Sequence, residues 1–228
     1  MDGNGRWATR RGLPRLAGHR QGVEALRGVI EGCVEEGVDY LTLFAFSTEN
    51  WTRPRQEVDG LMSLLVEYFQ REIASLDRKG VRIRVIGERQ GVRADIVRLI
   101  ERAEELTRSN TKLVLTVAFN YGGRAEICSA ARQVARLARD GRLDPEEIDE
   151  AVFARYLYAP DLPDPDLLIR PSGELRISNF LLWQLAYAEM WFTPAYWPDF
   201  GKEYLRQAIA EFRLRSRRYG GLDSPKGV

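Results

Sequence analysis

Two segments gather groups that can hold phosphate. In the first, Asp2-Gly3-Asn4-Gly5-Arg6, the two glycines let backbone N–H groups come close to an anion. Asn4 adds an amide, and Arg6 can pair with phosphate through two nitrogens. The second, Arg170-Pro171-Ser172-Gly173-Glu174-Leu175-Arg176-Ile177-Ser178-Asn179, sets two arginines and a hydroxyl where a strand should end and a helix begin. A helix dipole would favour an anion there as well. Neither segment is a nucleotide loop of a common kind: G-x-x-x-x-G-K-S/T is absent, and the third glycine of G-x-G-x-x-G is missing. The plainer readings are a glycine-rich turn on a basic surface for the first, and a surface ion pair at Arg170 with an N-cap at Ser178 for the second. Two separate arginine-bearing pockets point to two phosphorylated ligands.

Asp2 is the odd member, because a carboxylate repels phosphate unless a cation bridges them. Mg²⁺ does so through one or two carboxylates plus substrate oxygens, which makes Asp2 a candidate metal ligand. Glu189 is a second candidate: it lies in an apolar run, residues 179–192, where a carboxylate needs a metal or an arginine partner. His19 is the only histidine and stands beside the basic loop, placed better to hydrogen-bond phosphate than to act as a general base.

The elements that must position these groups follow from periodicity. Residues 21–36 carry Val23, Leu26, Ile30, Cys33 and Val34 on one helical face, with Gly37 as the stop. A strand is expected over 40–46, a helix over 57–79, a strand over 81–87, a helix over 93–108, a strand over 113–119 and a helix over 124–139. Asp144-Pro145-Glu146-Glu147 reads as a helix start, 166–170 as a buried strand, and 179–192 as a helix apolar nearly all round. Helices alternating with continuous apolar strands predict an α/β fold: a mostly parallel central sheet flanked on both faces, in one domain over residues 1–228. Ligands then sit beyond the carboxyl ends of the strands, where 46–54, 119–124 and 170–179 are rich in Ser, Asn, Gly and Arg.

The composition sets limits. Thirty-four basic against 33 acidic residues give no polyanion-binding charge, and with no RNA-binding signature a nucleic-acid module is disfavoured. Positive charge is local: residues 1–20 hold five arginines and one acid. Cys33 and Cys128 lack metal or redox spacing and read as buried thiols in a reducing compartment. No leader or spanning segment is evident, so a cytoplasmic protein with at most peripheral membrane contact is expected.

Taken in order, the residues MDGNGRWA, Gly18-His19, LFAFSTENWTRP, FNYGGR, RPSGELRISNFLLWQLAYAEMWF and WPDF resemble the cis-prenyltransferases, the undecaprenyl diphosphate synthase family. The resemblance runs over nearly the whole chain. It implies Mg²⁺-dependent condensation of isopentenyl diphosphate onto an allylic diphosphate, farnesyl diphosphate being the expected primer, to a polyprenyl diphosphate of medium length such as a lipid-carrier precursor. By the same resemblance, Asp2 serves catalysis and the metal. Gly3, Asn4, Gly5, Arg6, Trp7, Arg15 and His19 belong to the allylic diphosphate pocket, and Arg170, Glu174, Arg176 and Ser178 to the isopentenyl diphosphate pocket. Ser47, Asn50, Trp51 and Arg53 belong to a mobile catalytic loop. Glu189 reaches the metal across a homodimer, and Arg218 and Gly220 complete the neighbouring subunit's site. Ala45 lies near the mouth of a product tunnel and Leu113 near its floor, with walls from helices at 58–76 and 92–106. The final proton goes to Asp2, to an Asn4/Ser47 network or to the released diphosphate.

In one respect the chain departs from that pattern. The family places a strand immediately before the aspartate, and here Met1 stands there instead, with its ammonium competing for the metal site. A longer native sequence, or weak activity, is the expectation. A non-catalytic subunit of the same fold is the alternative, although such a subunit would be expected to lose the DGNGR and TENW residues present here.

Overall fold

The computed structural model describes residues 1–215, and its helices and strands follow in chain order. The helices are α1 Asn4–Thr9, α2 Arg15–Glu35, α3 Arg55–Arg78, α4 Ala94–Leu106, α5 Gly123–Arg139, α6 Glu150–Ala154 and α7 Lys202–Arg213. The strands are β1 Tyr40–Ser47, β2 Val81–Ile86, β3 Leu113–Tyr121, β4 Leu167–Arg170 and β5 Glu189–Phe192.

β3 is the middle of the larger sheet because its sequence, LVLTVAFNY, offers apolar side chains to both faces; every residue but Val114 is buried. β1 and β2 pair with it in parallel, giving the order β1-β3-β2. Leu113, Leu115, Val117 and Phe119 join the main core with α2, α3, α4 and α7, while Ala118 and Tyr121 turn to a second core with Leu168, Phe180, Leu181 and Leu185. Helices α2 and α3 end where Gly37 and Gly80 take positive φ, 70° and 74°, a conformation that returns the chain to a strand without a Cβ clash.

β4 and β5 form a separate parallel pair, with Leu167 opposite Glu189 and Arg170 opposite Phe192. Among the described residues, β1 and β4 each pair on one edge only. A cleft of about 970 Å³ is lined by the whole of β1 and by residues 162–171 around β4, with Met1 and Asp2 also on its wall.

Several expectations need correction. The apolar run 179–192 is not a helix: left-handed φ at Ser178, Asn179 and Leu181 (50°, 64° and 42°) breaks it into turns, and its last four residues are β5. An all-round apolar run suits a buried strand as well as a buried helix. Residues 145–147 make a single 3₁₀ turn, and the helix starts later, from the Asp149 N-cap, as α6. Helix α2 begins at Arg15 and so contains His19, and α1 was not anticipated. Cys33 is buried as expected, whereas Cys128 is exposed on α5.

Candidate active site

Residues 1–20 fold as α1 and the start of α2, and two glycines let this hairpin close and pack against the turn after β4. Gly3 holds φ 86°, and a Cβ there would lie 2.2 Å from Ser172 Oγ; a Cβ on Gly18 would lie 1.9 Å from the Asn4 carbonyl oxygen. The first intrahelical bond of α1 runs from Trp7 N–H to Gly3 O, so the amides of Asn4, Gly5 and Arg6 have no intrahelical partner. Asp2 is tied to the end of the fold, its carbonyl accepting from Trp197 N–H at 3.0 Å.

The two segments singled out by composition meet. Asp2 Oδ2 accepts from Arg170 Nη2 at 3.0 Å, and Asp2 Oδ1 accepts from Gly3 N–H at 2.7 Å and from Arg6 Nη2 at 3.3 Å. Glu174 bridges the two segments, accepting from Arg6 at 2.7 Å and from Arg176 at 2.5 Å. Arg170 also donates to Ser178 Oγ at 2.9 Å and to the Arg176 carbonyl. Thus Ser178 is a partner of Arg170 rather than an N-cap. Burial works to raise the Asp2 carboxyl, but hydrogen bonds from Arg170 and Gly3, with the Arg6 charge, outweigh it and hold the group below the usual carboxylate range. Arg176 and then Arg6 do the same for Glu174. The guanidinium groups are therefore held by carboxylates that a bound diphosphate could replace.

A second carboxylate hub lies at the start of α3. Glu57 accepts from Arg15 at 3.1 and 3.3 Å and from Arg53 at 3.2 Å, and its Oε1 is 3.5 Å from His19 Nε2. Asn4 Nδ2 lies 3.5 Å from His19 Nδ1. Burial is the main cause that lowers the His19 pKa, aided by Arg53 and Arg15 against Glu57, so the ring is neutral near pH 7. Asn4 Oδ1 and Ser172 Oγ are buried without a hydrogen-bond partner in the protein, and His19 Nε2 has only the 3.5 Å approach of Glu57.

The loop after β1 is a 3₁₀ turn, Thr48–Thr52, closed by Ser47 N–H donating to Asn50 Oδ1 at 3.2 Å. Its Trp51 donates to Asn120 Oδ1 at 2.8 Å, and its Glu49 accepts from Asn179 Nδ2 at 2.7 Å. Asn179 Oδ1 in turn accepts from Arg124 N–H at 2.8 Å. The ends of β1 and β3 and the turn beyond β4 are thereby joined.

Beyond these polar groups an apolar cavity of about 120 Å³ runs under α2 and α3, past Ala45, Phe46, Leu61, Leu65, Phe69 and Ile73 to Leu76, Ile83 and Leu115. Ala45 lines it. Leu113 is fully buried in the core but does not line the cavity; Leu115, two positions on and on the same face of β3, does. The helical part of the wall comes mainly from α2 and α3, the rest mainly from β1, β2 and β3, and α4 contributes none.

Two further residues stand apart from the Asp2 cluster. Trp7 is outside this arrangement, donating to Asp199 Oδ1 at 2.7 Å beneath the Arg11 guanidinium. Glu189 stands at the opposite end of β5 from Phe192, the residue paired with Arg170, and binds Arg215 at 2.8 Å; it takes the arginine-partner alternative and does not join Asp2 within one chain. Arg218 and Gly220 lie outside the described residues. The sequence reading missed Glu57, Asn120 and Asn179, although Asn120 and Asn179 lie in segments it marked, and Glu57 follows Arg53 by one helical turn.

No cluster of three or more His, Cys, Asp or Glu side chains that could hold a metal occurs among the described residues. The donor set fits one kind of ion, a hard cation that shares the ionised Asp2 carboxylate with substrate phosphate oxygens. No helix among those residues is long and apolar enough to cross a membrane.

Comparison with known proteins accords with this geometry. A family model described as "Putative undecaprenyl diphosphate synthase" matches residues 1–220. An isoprenyl transferase of Heliobacterium mobile is 58% identical over 222 residues, which span 97% of this chain and 85% of that protein. The crystal structure of lavandulyl diphosphate synthase from Lavandula x intermedia, in complex with dimethylallyl diphosphate, is similar at a TM-score of 0.94 and 36% identity, covering 96% of this chain and 95% of that one. A probable undecaprenyl diphosphate synthase from Campylobacter jejuni is similar at a TM-score of 0.77 and 36% identity, covering 88% of this chain and 92% of that one.

Proposed function

The chain belongs to the undecaprenyl diphosphate synthase family, a cis-prenyltransferase by its relatives, and from that premise we propose that it condenses isopentenyl diphosphate onto an allylic diphosphate primer such as farnesyl diphosphate. One observation carries the reading: Asp2, Arg6, Arg170 and Arg176 are linked through direct ion pairs and Glu174, and Asn4 and His19 beside them on the first two helices line both the polar cleft and the apolar cavity.

In this reading the allylic diphosphate sits against Arg6, Arg15, His19 and the α1 amides, displacing Glu57 and Glu174 from their guanidinium partners. The isopentenyl diphosphate sits against Arg170, Arg176 and Ser178. Leaving-group charge is stabilised by donors already in place, which is electrostatic preorganisation. Seating both substrates side by side supplies proximity. Mg²⁺, held by Asp2 and phosphate oxygens, would neutralise charge on the departing diphosphate. Asn4, Asn50 and Ser47 orient groups around the reacting carbon, and the proton acceptor is Asp2, the Asn4/Ser47 pair or the released diphosphate. The homodimer is part of the proposal, with Glu189 and the chain end acting at a second copy's site.

We also propose that the cleft between β1 and β4 seats the strand that the family resemblance places before Asp2. Both edges that line it lack partners among the described residues, and such an extended segment would unite the two sheets.

The test is incorporation of labelled isopentenyl diphosphate into butanol-extractable product with farnesyl diphosphate and Mg²⁺, with and without EDTA. Metal-dependent product of defined length supports the synthase. No product from a folded protein, even when a strand sequence is added ahead of Asp2, sinks it.

A further inference from the structure

The apolar cavity has one charged side chain at depth. Glu72 lies on its wall among Tyr68, Phe69, Ile73 and Leu76, its side chain only 8% exposed. Its Oε1 accepts from Arg27 of α2 at 2.5 Å and from the neighbouring Arg71 at 2.9 Å, and Arg71 donates on to Glu24 of α2 at 2.6 Å. These arginines are about 43–44% exposed, so the cluster separates an apolar interior from solvent at the seam between α2 and α3.

The size of the cavity makes that seam important. About 120 Å³ is room for little more than one five-carbon unit, since an apolar cavity of ~150 Å³ takes a single benzene. A growing chain must therefore widen its walls. β1, β2 and β3 are joined by backbone ladders and cannot part cheaply. By contrast, α2 and α3 are held to each other by side chains.

Polar pins stand at intervals along the seam. Glu57 binds Arg15 near the mouth, Glu72 and Arg71 bind Arg27 and Glu24 deeper in, and Lys79 binds Glu31 at the far end of α3. Between the first two pins the cavity walls are apolar, with Gly22, Val23 and Leu26 on α2 and Leu61, Leu65 and Tyr68 on α3. From Leu61 to Glu72 the cavity wall is ~16 Å long at 1.5 Å per residue. An alkene tail that reaches Glu72 must either stop or strip a buried carboxylate of its partners, which is unfavourable.

We infer that Glu72, clamped by Arg27 and Arg71, is a specificity-determining residue that limits the length of the product. The inference rests on the synthase reading above. It assigns the limit to a polar latch on the helix seam as well as to the apolar floor at Leu76, Ile83 and Leu115.

The test compares product lengths, by chromatography of butanol extracts, for wild type, Glu72→Leu, Glu72→Gln, Arg27→Leu and Lys79→Ala, all extended from farnesyl diphosphate and checked for folding by circular dichroism. Glu72→Leu and Arg27→Leu are expected to lengthen the mean product by at least one five-carbon unit. Glu72→Gln, which keeps an acceptor oxygen for Arg27, should shift it less. Lys79→Ala loosens the seam outside the cavity and should leave the distribution in place. Wild-type lengths from folded Arg27→Leu and Glu72→Gln would overturn the inference even if Glu72→Leu failed to fold, as would equal lengthening by Lys79→Ala. Absence of product from the wild-type enzyme would remove the synthase reading itself, and this inference with it.

Discussion

In the polar cluster beside the cavity, Asp2, Arg6 and Arg176 stand on turns and on the short helix α1 and Arg170 at the end of β4, each charge matched by another that a ligand could replace. At the far end Leu76, Ile83 and Leu115 are fixed by a long helix and a three-stranded ladder, at 5%, 3% and 2% exposure. The first region is built for exchange of partners and the second for permanence. Substitutions should accordingly separate activity from stability, and each experiment below either sharpens that division or breaks it.

The largest effect is expected at Asp2. Asp2→Ala removes the one carboxylate that faces both Arg170 and Arg6, and loss of a preorganised electrostatic group costs about 10²–10³ in rate. Initial rates of isopentenyl incorporation should fall by that factor while the melting temperature moves little, because the Asp2 side chain is about one-third exposed. A large drop in melting temperature would mean that the mouth is structural after all.

Next in size is Leu115→Ala. Truncating a leucine at 2% exposure should destabilise the fold by about 2–5 kcal/mol, read from the denaturant midpoint. The chemistry of the first condensation happens at the other end of the cavity and should persist below the unfolding transition. If the first condensation failed while the fold held, floor and mouth would not be independent.

A smaller effect is expected at Arg176, whose Glu174 partner is offered up to an incoming diphosphate. Arg176→Ala should raise KM for isopentenyl diphosphate by about tenfold or more, as loss of a charged hydrogen bond worth ~1.5–3 kcal/mol would. KM for the allylic primer should change less. Equal changes in both would merge the two pockets into one.

The same division explains what the sequence made legible. β3 could be read because LVLTVAF is apolar on both faces, and α2 and α3 because Val23, Leu26, Ile30 and Val58, Leu65, Phe69 recur at helical spacing. The ends of β1 and β3 could be marked as site-bearing because ligand groups collect beyond parallel strands. The region from Ser178 to Phe192 could not, since three positive φ values are set by contacts such as Asn179 with Glu49 and Arg124, which lie 130 and 55 residues away in sequence. Glu57 was missed for a related reason: a carboxylate in the first turn of a helix reads as a dipole match, and only the hairpin of α1 and α2 brings Arg15 and His19 to it. Leu113 was misplaced by two residues because alternation along β3 gives the face of a side chain but not its depth.

The smallest effect tests the mouth by pH. His19 is held neutral in the folded chain chiefly by burial, with Arg53 and Arg15 assisting, so its folded pKa lies below the ordinary 6.5. A lowered folded pKa means that the unfolded chain binds more protons in the window between the two values, and stability there rises with pH. The contribution is fully present above pH 6.5 and is lost as pH falls through the folded value. Melting temperature should therefore decline as pH drops below about 6.5, and His19→Gln should flatten that decline without touching the separate acid limb set by Asp2, whose carboxyl, against its burial, is held low by Arg170, Gly3 N–H and Arg6. Added inorganic diphosphate, an anion that favours the imidazolium, should shrink the slope in the wild-type protein and do nothing to it in His19→Gln. An unchanged slope in the variant would place the titrating group elsewhere, and would leave His19 a packing residue of the α1–α2 hairpin rather than a member of the mouth.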